Sequence, residues 1–230
     1  MKEDLSEQKV QYLRQLDIWN PDVASPETTI VGSGSIGSFS ALALSKMGIK
    51  RIVLWDPDRI AMHNISNQFF RKKDLGNTKV DATAILCKEF APEDVAFKTI
   101  AGEFTDEAEI NTEIAVVVTD NIESRKLVYL AAKKSDFNLF FIDGRMGAEL
   151  LHIFAFPTHE SNAEKQMKKY EDNYLDHPND ELPCTARTIL YNVLVISWLI
   201  GSIVKKYACK EKIPFHIIFD LKTMQYIVDW

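Results

Sequence analysis

Residues 28–37, TTIVGSGSIG, decide the fold that we expect for this chain. The first four residues are all β-branched, which favours a strand. They lead directly into Gly32, Gly34 and Gly37, which form a G-x-G-x-x-G pattern, and a helical pattern follows as far as Gly48. Glycines at such a junction permit a tight turn and a close approach of the backbone to a phosphate, which the start of the helix can bind. The stretch therefore predicts a nucleotide-binding unit.

Strand-like and helix-like runs alternate outward from this segment. We expect strands at 28–31, 52–55, 95–100, 114–118 and 139–142, with helices at 36–47, 79–90 and 122–134. Alternation of this kind is typical of βαβ units around a parallel sheet. A further strand at 150–156 and a hairpin of 215–219 with 224–228 predict an antiparallel C-terminal extension. We therefore predict one α/β domain over 1–230, with a Rossmann-like, doubly wound sheet that is mostly parallel.

Three segments fall outside this alternation. Residues 1–27 are expected to form an N-terminal helical arm. Residues 157–186 are polar and rich in acidic side chains, and are expected to form an exposed, mobile crossover loop. The run from Ile189 to Val204 predicts a helix whose apolar residues cover more than one side, so that the core or a partner subunit would pack around it. Its sixteen residues are fewer than the roughly 20 that span a bilayer, which argues against a membrane protein.

The composition and net charge of the chain argue against nucleic acid as its partner. The chain has 230 residues, 46% of them hydrophobic and 26% charged, as in an ordinary globular protein. Its net charge of −6 offers no general attraction for nucleic acid. Three cysteines are too few for a disulfide framework, and the first residues do not resemble a secretory signal, so a reducing cytoplasm is expected.

Asp56 strengthens the prediction of a nucleotide site. It ends the second expected strand, 24 residues after Gly32, where a carboxylate can accept hydrogen bonds from both ribose hydroxyls. Ribose and phosphate are common to NAD and ATP, so the glycine loop and Asp56 leave both ligands open. The alternative is that the glycines serve packing alone and that Asp56 is an ordinary surface residue.

The later motifs resemble those of the ThiF/MoeB/HesA family, which includes the catalytic half of ubiquitin-activating enzymes. The matching residues follow the family's order along essentially the whole chain: Tyr12-Leu13-Arg14-Gln15, Asp56 with Asp58, Asn64 with Gln68, Asp74 to Lys79, and Thr119-Asp120-Asn121 with Arg125. The resemblance implies ATP-dependent adenylation of the C-terminal carboxylate of a small ubiquitin-like or sulfur-carrier protein. It also implies a homodimer.

The resemblance assigns roles to individual residues. The residues expected to bind the nucleotide are Gly32, Gly34, Gly37, Asp56, Asp58, Asn64, Asn67, Gln68 and Lys79. Lys79 would contact phosphate, Asp120 would bind Mg²⁺, and Arg14 would reach across a two-fold interface to the neighbour's ATP. This chemistry needs cations to neutralise the departing pyrophosphate and a carboxylate for the metal. The competing interpretation of Lys79 and Asp120 is that they are solvated surface charges.

Position 67 departs from the family pattern. The family has an arginine where this chain has Asn67, and Arg71 follows four residues later. Two outcomes are open: Arg71 replaces the missing phosphate contact, or the site binds ATP less well than the family's usual site does. Asn67 therefore leaves open a catalytically weak module that binds a ubiquitin-like protein. The glycine loop also leaves open an NAD-dependent oxidoreductase, which would leave Gln68, Lys79 and Asp120 unexplained.

Cys184 and the segment 143–149 each have two interpretations. Cys184 precedes the apolar helix, with Arg187 nearby, and is either a nucleophile that accepts the acyl group or an inert buried thiol. The segment DGRMGAE at 143–149 is either a turn or a binding surface for the incoming peptide tail. The chain has no C-x-x-C pair and no closely spaced histidines, so no zinc site is expected.

Overall fold

The computed structural model describes residues 11–92, 94–135, 139–159, 163–176 and 188–230. Their strands form one eight-stranded sheet in the order β3-β2-β1-β4-β5-β6-β7-β8. The strands are β1 (Thr28–Val31), β2 (Arg51–Trp55), β3 (Ala96–Ile100), β4 (Ile114–Val117), β5 (Phe140–Gly147), β6 (Leu150–Pro157), β7 (His216–Asp220) and β8 (Gln225–Asp229). Strands β1 to β5 pair in parallel, and β5 to β8 pair antiparallel. The predicted mixed sheet is confirmed.

Five α-helices of the described ranges cover the sheet. They are α1 (Ser35–Met47), α2 (Lys79–Phe90), α3 (Ile122–Lys134), α4 (Ala163–Tyr170) and α5 (Leu190–Ala208). Helix α1 ends at Gly48, whose φ of 99° allows its N–H to bond the carbonyls of Leu44 and Ser45. Two apolar clusters form the main core. One contains residues of α1 and α5, and the other contains residues of α3 and α4.

The order of the strands reverses at β1: β2 and β3 are added on one side of it, and β4 and β5 on the other. Strand β1 pairs with β2 on one side and with β4 on the other, in parallel on both sides. The loops that leave the carboxyl ends of β1 and β4 therefore run to opposite sides and open a crevice, which is where ligands bind in sheets of this kind. The pairing of Val31 with both Trp55 and Val117 brings the ends of three strands together there.

The described part of the crossover segment differs from the prediction. Residues 163–170 form helix α4, and residues 171–175 continue it as a π-helical turn. Ala163, Met167 and Tyr170 are buried, although an exposed loop was predicted. Their i, i+4, i+7 spacing places them on one helix face against the sheet, while the charged residues between them face away. In the sequence, the abundant charged residues of this segment conceal the apolar stripe.

The described part of the N-terminal arm, residues 11–27, lies at the amino ends of the strands. Residues 12–18 form hydrogen-bonded turns, and Pro21 and Pro26 prevent a continuous helix because proline lacks an N–H and restricts the residue before it. Gln15 Nε2 donates to the carbonyl of Met47 at 2.8 Å. The arm is thus fastened to the end of α1 that points away from the crevice.

Helix α5 has one buried side and one exposed side. Ser197 Oγ donates to the carbonyl of Ile36 at 3.2 Å, which fixes α5 on α1. On the other side, Leu194 and Trp198 are exposed, with 64% of Trp198 accessible. A fully internal position for this helix is therefore wrong for the single chain. No described helix has the length and apolarity that a membrane crossing requires.

Candidate functional site

A cavity of about 470 Å³ opens at the carboxyl ends of β1, β2 and β4. It is lined by residues of the glycine loop, of the turns after β2 and β4, and of the starts of α2 and α3. Most of the predicted nucleotide-binding residues and the predicted metal ligand Asp120 line it: Gly32, Gly34, Asp56, Asp58, Asn64, Asn67, Gln68, Lys79 and Asp120. The fold therefore brings together residues that are up to 88 positions apart in the sequence.

Glycine is required at two positions of the loop. Gly32 has φ +99°, and a Cβ there would lie 3.0 Å from the carbonyl carbon and oxygen of Val118, at the end of β4. A Cβ on Gly37 would lie 1.8 Å from the carbonyl oxygen of Gly32. The loop thus folds back on itself and presses against β4. Side chains at these two positions would push the helix start away from the crevice.

Asp56 connects the end of β2 to the glycine loop. Its Oδ2 accepts the N–H of Ser33 at 2.6 Å, and its Oδ1 accepts the N–H of Asp58 at 2.8 Å. Burial raises the pKa of Asp56, while Lys79 and the two amides oppose that rise. The carboxylate is buried at the cavity wall, and each oxygen has a second lone pair for a ligand hydroxyl.

Lys79 is a buried cation beside the same wall. Its Nζ donates to Asp58 Oδ2 at 2.7 Å, and its backbone N–H donates to the carbonyl of Asp58 at 2.9 Å. Asp58 is largely exposed, so it balances the charge of Lys79 from the solvent side. Lys79 thus presents one positive charge to the cavity near the start of α2, where the helix dipole also favours anions.

The turn after β4 carries Asp120 into the cavity. Asn121 Oδ1 accepts the N–H of Ser124 at 2.7 Å, so Asn121 caps the start of α3. Asp120 is exposed and lines the cavity beside Thr119. The Thr119-Asp120-Asn121 motif therefore combines a structural cap with a carboxylate that is open to a ligand.

Several buried polar atoms around the cavity lack a partner. Among the described residues, Trp55 Nε1, Asn67 Oδ1 and Gln68 Oε1 are buried and make no hydrogen bond. A buried polar group without a partner costs roughly 1–3 kcal/mol, so a cluster of them beside a cavity indicates a polar ligand. Trp55 also contacts Phe104, with 4.8 Å between ring centroids, and both rings line the cavity.

Three predicted residues have other positions. The Arg71 guanidinium binds Asp74 and Glu89, and Arg71 does not line the cavity. Arg14 is exposed, and the hydrogen bond of its neighbour Gln15 to Met47 places it near the amino ends of the strands, away from the cavity. Gly37 lies behind the loop, where it serves packing. Cys184 lies outside the described residues, as does Arg187.

Residues that line the cavity but are not among the predicted site residues include Trp55, Gly102, Phe104, Met146 and Thr188. In the sequence, Trp55 is the last residue of a strand, and an aromatic residue in an apolar run usually belongs to a core. Its position directly before Asp56 was the available signal. The segment 143–149 proves to be the end of β5 and a tight turn into β6, with Asp143 and Arg145 buried below the cavity.

Metal-binding side chains do not cluster in the described ranges. No group of three His, Cys, Asp or Glu residues there is arranged to hold a metal ion. A metal at this cavity would therefore need most of its ligands from a bound molecule. Mg²⁺ in nucleotide sites is bound in that way, with one or two carboxylates and the phosphates of the substrate.

The sequence model of the ThiF family matches residues 21–219. Among curated proteins, ubiquitin-like modifier-activating enzyme 5 of Arabidopsis thaliana is 29% identical over 124 residues, covering 46% of this chain and 29% of that protein. The enzyme of the same name from Branchiostoma floridae is 37% identical over 70 residues, or 30% of this chain and 17% of that protein. The chain thus matches less than a third of either relative.

Solved structures match over nearly the whole chain. The structure of PaaA has a TM-score of 0.76 and 17% identity, covering all of this chain and 84% of PaaA. Escherichia coli MccB, solved with ATP, has a TM-score of 0.70 and 18% identity, covering 95% of this chain and 71% of MccB. At these identities the comparison establishes a shared fold.

Proposed function

This chain belongs to the ThiF family, and we propose that it uses ATP to adenylate the C-terminal carboxylate of a small ubiquitin-like or sulfur-carrier protein. The observation that carries the proposal is the cavity, which places the glycine loop, Asp56, Lys79 and Asp120 around one space. In the reaction, a carboxylate oxygen of the substrate attacks the α-phosphorus, and pyrophosphate leaves. Negative charge then accumulates where Lys79 and the start of α1 supply positive charge.

ATP fits the residues that line the cavity. Asp56 offers its free lone pairs to the ribose, and the loop from Gly32 to Ser35 offers backbone N–H groups to phosphate. Trp55 and Phe104 provide aromatic surface for a base at one end. Escherichia coli MccB has been solved with ATP on the same fold, which supports this choice of nucleotide.

Mg²⁺ is proposed as the metal, with Asp120 as its protein ligand. The side chain of Asp120 is exposed to the cavity, and phosphate oxygens would complete the coordination shell. The ion would neutralise charge on the triphosphate. Asp120 would then fix the ion's position relative to the glycine loop.

The substrate assignment rests on the relatives. The curated relatives are named ubiquitin-like modifier-activating enzymes, and MccB has been solved with MccA. A flexible C-terminal tail suits the end of the cavity lined by Asp120, Met146 and Thr188, beyond the expected phosphates. Transfer to Cys184 remains a prediction. There the thiolate would attack the acyl carbon, a thioester would form, and AMP would leave.

The working unit is proposed to be a homodimer in which Arg14 completes the neighbour's site. Arg14 lies at the amino ends of the strands, and the cavity lies at their carboxyl ends, about 13 Å away along a five-residue strand such as β2. It therefore serves another copy more readily than its own. The exposed apolar side of α5, with Leu194 and Trp198 beside Phe39 of α1, supplies a surface for a two-fold interface.

A catalytically weak binding module is the second candidate, because of Asn67. Asn67 lines the cavity where the family carries an arginine, and it supplies no charge. Arg71 as a replacement remains a prediction, since its guanidinium would first have to leave Asp74 and Glu89. Without a replacement, the carrier protein would bind but would react slowly.

Two measurements test the proposal. ATP with Mg²⁺ should raise the melting temperature, and NAD should not, because only a ligand of the folded state stabilises it by mass action. Purified protein with candidate carriers that end in Gly-Gly should catalyse ATP–pyrophosphate exchange. Stabilisation by ATP without exchange would favour the binding module, and stabilisation by NAD alone would overturn the proposal.

Cys184 is tested by a separate experiment. An acyl-enzyme that survives denaturing gels and is removed by thiol reductants should form with the parent protein and fail to form with Cys184→Ala. Cys209→Ala is the matched control, since Cys209 is partly accessible and does not line the cavity. A persistent adduct in Cys184→Ala would exclude this thiol as the acceptor.

A further inference from the structure

A chain of buried polar groups connects helix α4 to the turn that carries Asp120. The Tyr170 hydroxyl donates to Asp143 Oδ2 at 2.7 Å. Asp143 Oδ1 accepts from Arg125 Nη1, and Arg125 Nη2 donates to the carbonyl of Thr119. Thr119 is bonded directly to Asp120. Four residues thus join the crossover segment to the cavity.

The first three residues of this hydrogen-bonded series are buried, and Arg125 and Thr119 also line the cavity. Tyr170 and Asp143 have no accessible surface, and 6% of Arg125 is exposed. Burial acts to raise the pKa of Asp143, but Arg125 and Arg145 outweigh it, and the pKa lies below its usual value. Asp143 is therefore ionised at neutral pH, and both of its oxygens are directed at defined donors.

Buried ionic groups of this kind are poorly explained by stability. Apolar residues of similar volume often stabilise a core as well as a buried ion pair does. Charged groups with directional hydrogen bonds instead hold the backbone that they contact in one geometry. Here the fixed atom is the carbonyl oxygen of Thr119, which lines the cavity and otherwise belongs to a short turn between β4 and α3.

We infer that Tyr170 is a positioning residue, which holds the Thr119–Asp120 turn in its reactive position through Asp143 and Arg125. Docking of α4 against the sheet then determines where the Asp120 carboxylate lies. The catalytic part of this inference rests on the proposed function. The mechanical part, the coupling of α4 to the turn, stands without it.

Tyr129 provides a matched control for Tyr170. Both tyrosines are fully buried in the same aromatic cluster, with ring centroids 5.2 Å apart. The Tyr129 hydroxyl donates to Glu171 at 2.8 Å and does not contact Asp143. Tyr170→Phe and Tyr129→Phe each remove one hydroxyl and retain the ring. Only Tyr170→Phe interrupts the hydrogen-bonded series from α4 to the turn.

The test is native-state hydrogen exchange on the full chain without ligand. The reporters are the amides of Ser124 and Arg125, which bond to Asn121 beside the turn. Tyr170→Phe should speed their exchange by about 10-fold or more relative to amides of β1, and Tyr129→Phe should not. Equal exchange in both variants would overturn the inference. Should Tyr170→Phe not fold, Met167→Ala loosens the same helix and should produce the same selective change.

Pyrophosphate exchange supplies the second measurement. Tyr170→Phe should lower kcat by about 10-fold and change the KM for ATP by less than about 3-fold, because Asp56 and Lys79, which are held by contacts outside this series, stay in place. Tyr129→Phe should retain both constants. A kcat equal to that of the parent, in protein whose turn exchanges faster, would refute the catalytic part. Absence of exchange activity in the parent itself would refute the proposed function and leave the hydrogen-exchange result to decide the coupling.

Discussion

Lys79 Nζ lies 2.7 Å from Asp58 Oδ2, and the lysine is buried while the aspartate is mostly exposed. The pair is held by the backbone as well, because the N–H of Lys79 bonds the carbonyl of Asp58. A cation fixed in this way is ready for an anion in the cavity, and its partner can move into solvent when that anion binds.

The first prediction concerns this pair. Lys79→Ala should lower pyrophosphate exchange by at least about 100-fold, the usual scale for removing one group that stabilises transition-state charge. Asp58→Asn should cost less than about 10-fold, since it leaves Lys79 in place. Lys73→Ala, at an exposed position outside the cavity, is the control. Equal losses in the Lys79 and Asp58 variants would show that the pair acts as a unit.

Asp120→Ala should abolish pyrophosphate exchange and leave the unfolding transition unchanged. The side chain is exposed at the cavity and does not contribute to packing, so its loss should remove the metal and not the fold. Glu123→Ala, an exposed carboxylate in the first turn of α3, controls for charge. Full activity in folded Asp120→Ala would exclude it as the metal ligand.

Arg71→Ala should lower the urea midpoint of unfolding and reduce exchange by less than about 10-fold, because its guanidinium binds Asp74 and Glu89 outside the cavity. Asn67→Arg tests the other possibility by restoring the family's cation at the cavity. A loss of 100-fold or more in Arg71→Ala would show instead that Arg71 leaves its ion pairs to contact phosphate. Faster exchange in Asn67→Arg would show that the natural site is weakened.

Mixing Arg14→Ala with Asp120→Ala should restore exchange activity that neither variant has alone. A heterodimer would contain one site with both residues intact, because each site would take Arg14 from one subunit and Asp120 from the other. Subunit exchange is followed in parallel with a size tag on one variant. If tagged heterodimers form and activity does not return, or if sedimentation shows monomers only, the shared site is excluded.

The free energy of unfolding should fall as the pH drops from about 6.5 toward 4, partly because of His216. Burial, the nearby His152 and the cations Lys169 and Arg145 lower the pKa of His216 to about 4, with Asp229 opposing. Between these values the unfolded chain binds a proton that the folded chain does not, so stability is complete above pH 6.5 and is lost below it. The contribution is about 3 kcal/mol at most.

His216→Asn should flatten this dependence, as measured by urea unfolding at several pH values. His159→Asn is the control, because His159 is exposed on the short segment after β6. The assignment is wrong if both variants retain the slope of the parent.

The sequence predicted the parallel half of the fold well. Strand β1 and helices α2 and α3 have the expected bounds, and helix α1 ends where predicted, because β-branched runs, Gly48 and the caps at Thr78 and Asn121 act locally. Helix α4 was not predicted, since its three buried residues are separated by three lysines, one glutamate and one glutamine. Such a narrow apolar stripe stabilises a helix only when a sheet is available to cover it, and the local sequence does not show that contact.

The candidate site was predicted unevenly for a similar reason. Residues that follow strand ends, such as Asp56 and Asp120, could be placed because parallel strands end at one edge. The direction in which a side chain points could not be predicted, because it depends on partners that are distant in the sequence. Arg71 is close in sequence to Asn67, but Asp74 and Glu89 draw its guanidinium away from the cavity. The Tyr170–Asp143 contact spans 27 positions and has no local signal.

The described part of the arm and the cavity lie at opposite ends of the strands, and in the proposed homodimer this separation would link catalysis to abundance. A molecule that depends on Arg14 from a second copy is inactive when alone, so specific activity should decline on dilution below the dimer dissociation constant. At low expression the protein would be silent even with ATP and carrier present. The rate of adenylation would then rise more steeply than the concentration of the protein. A modest increase in synthesis could carry the protein past the concentration at which the dimer forms.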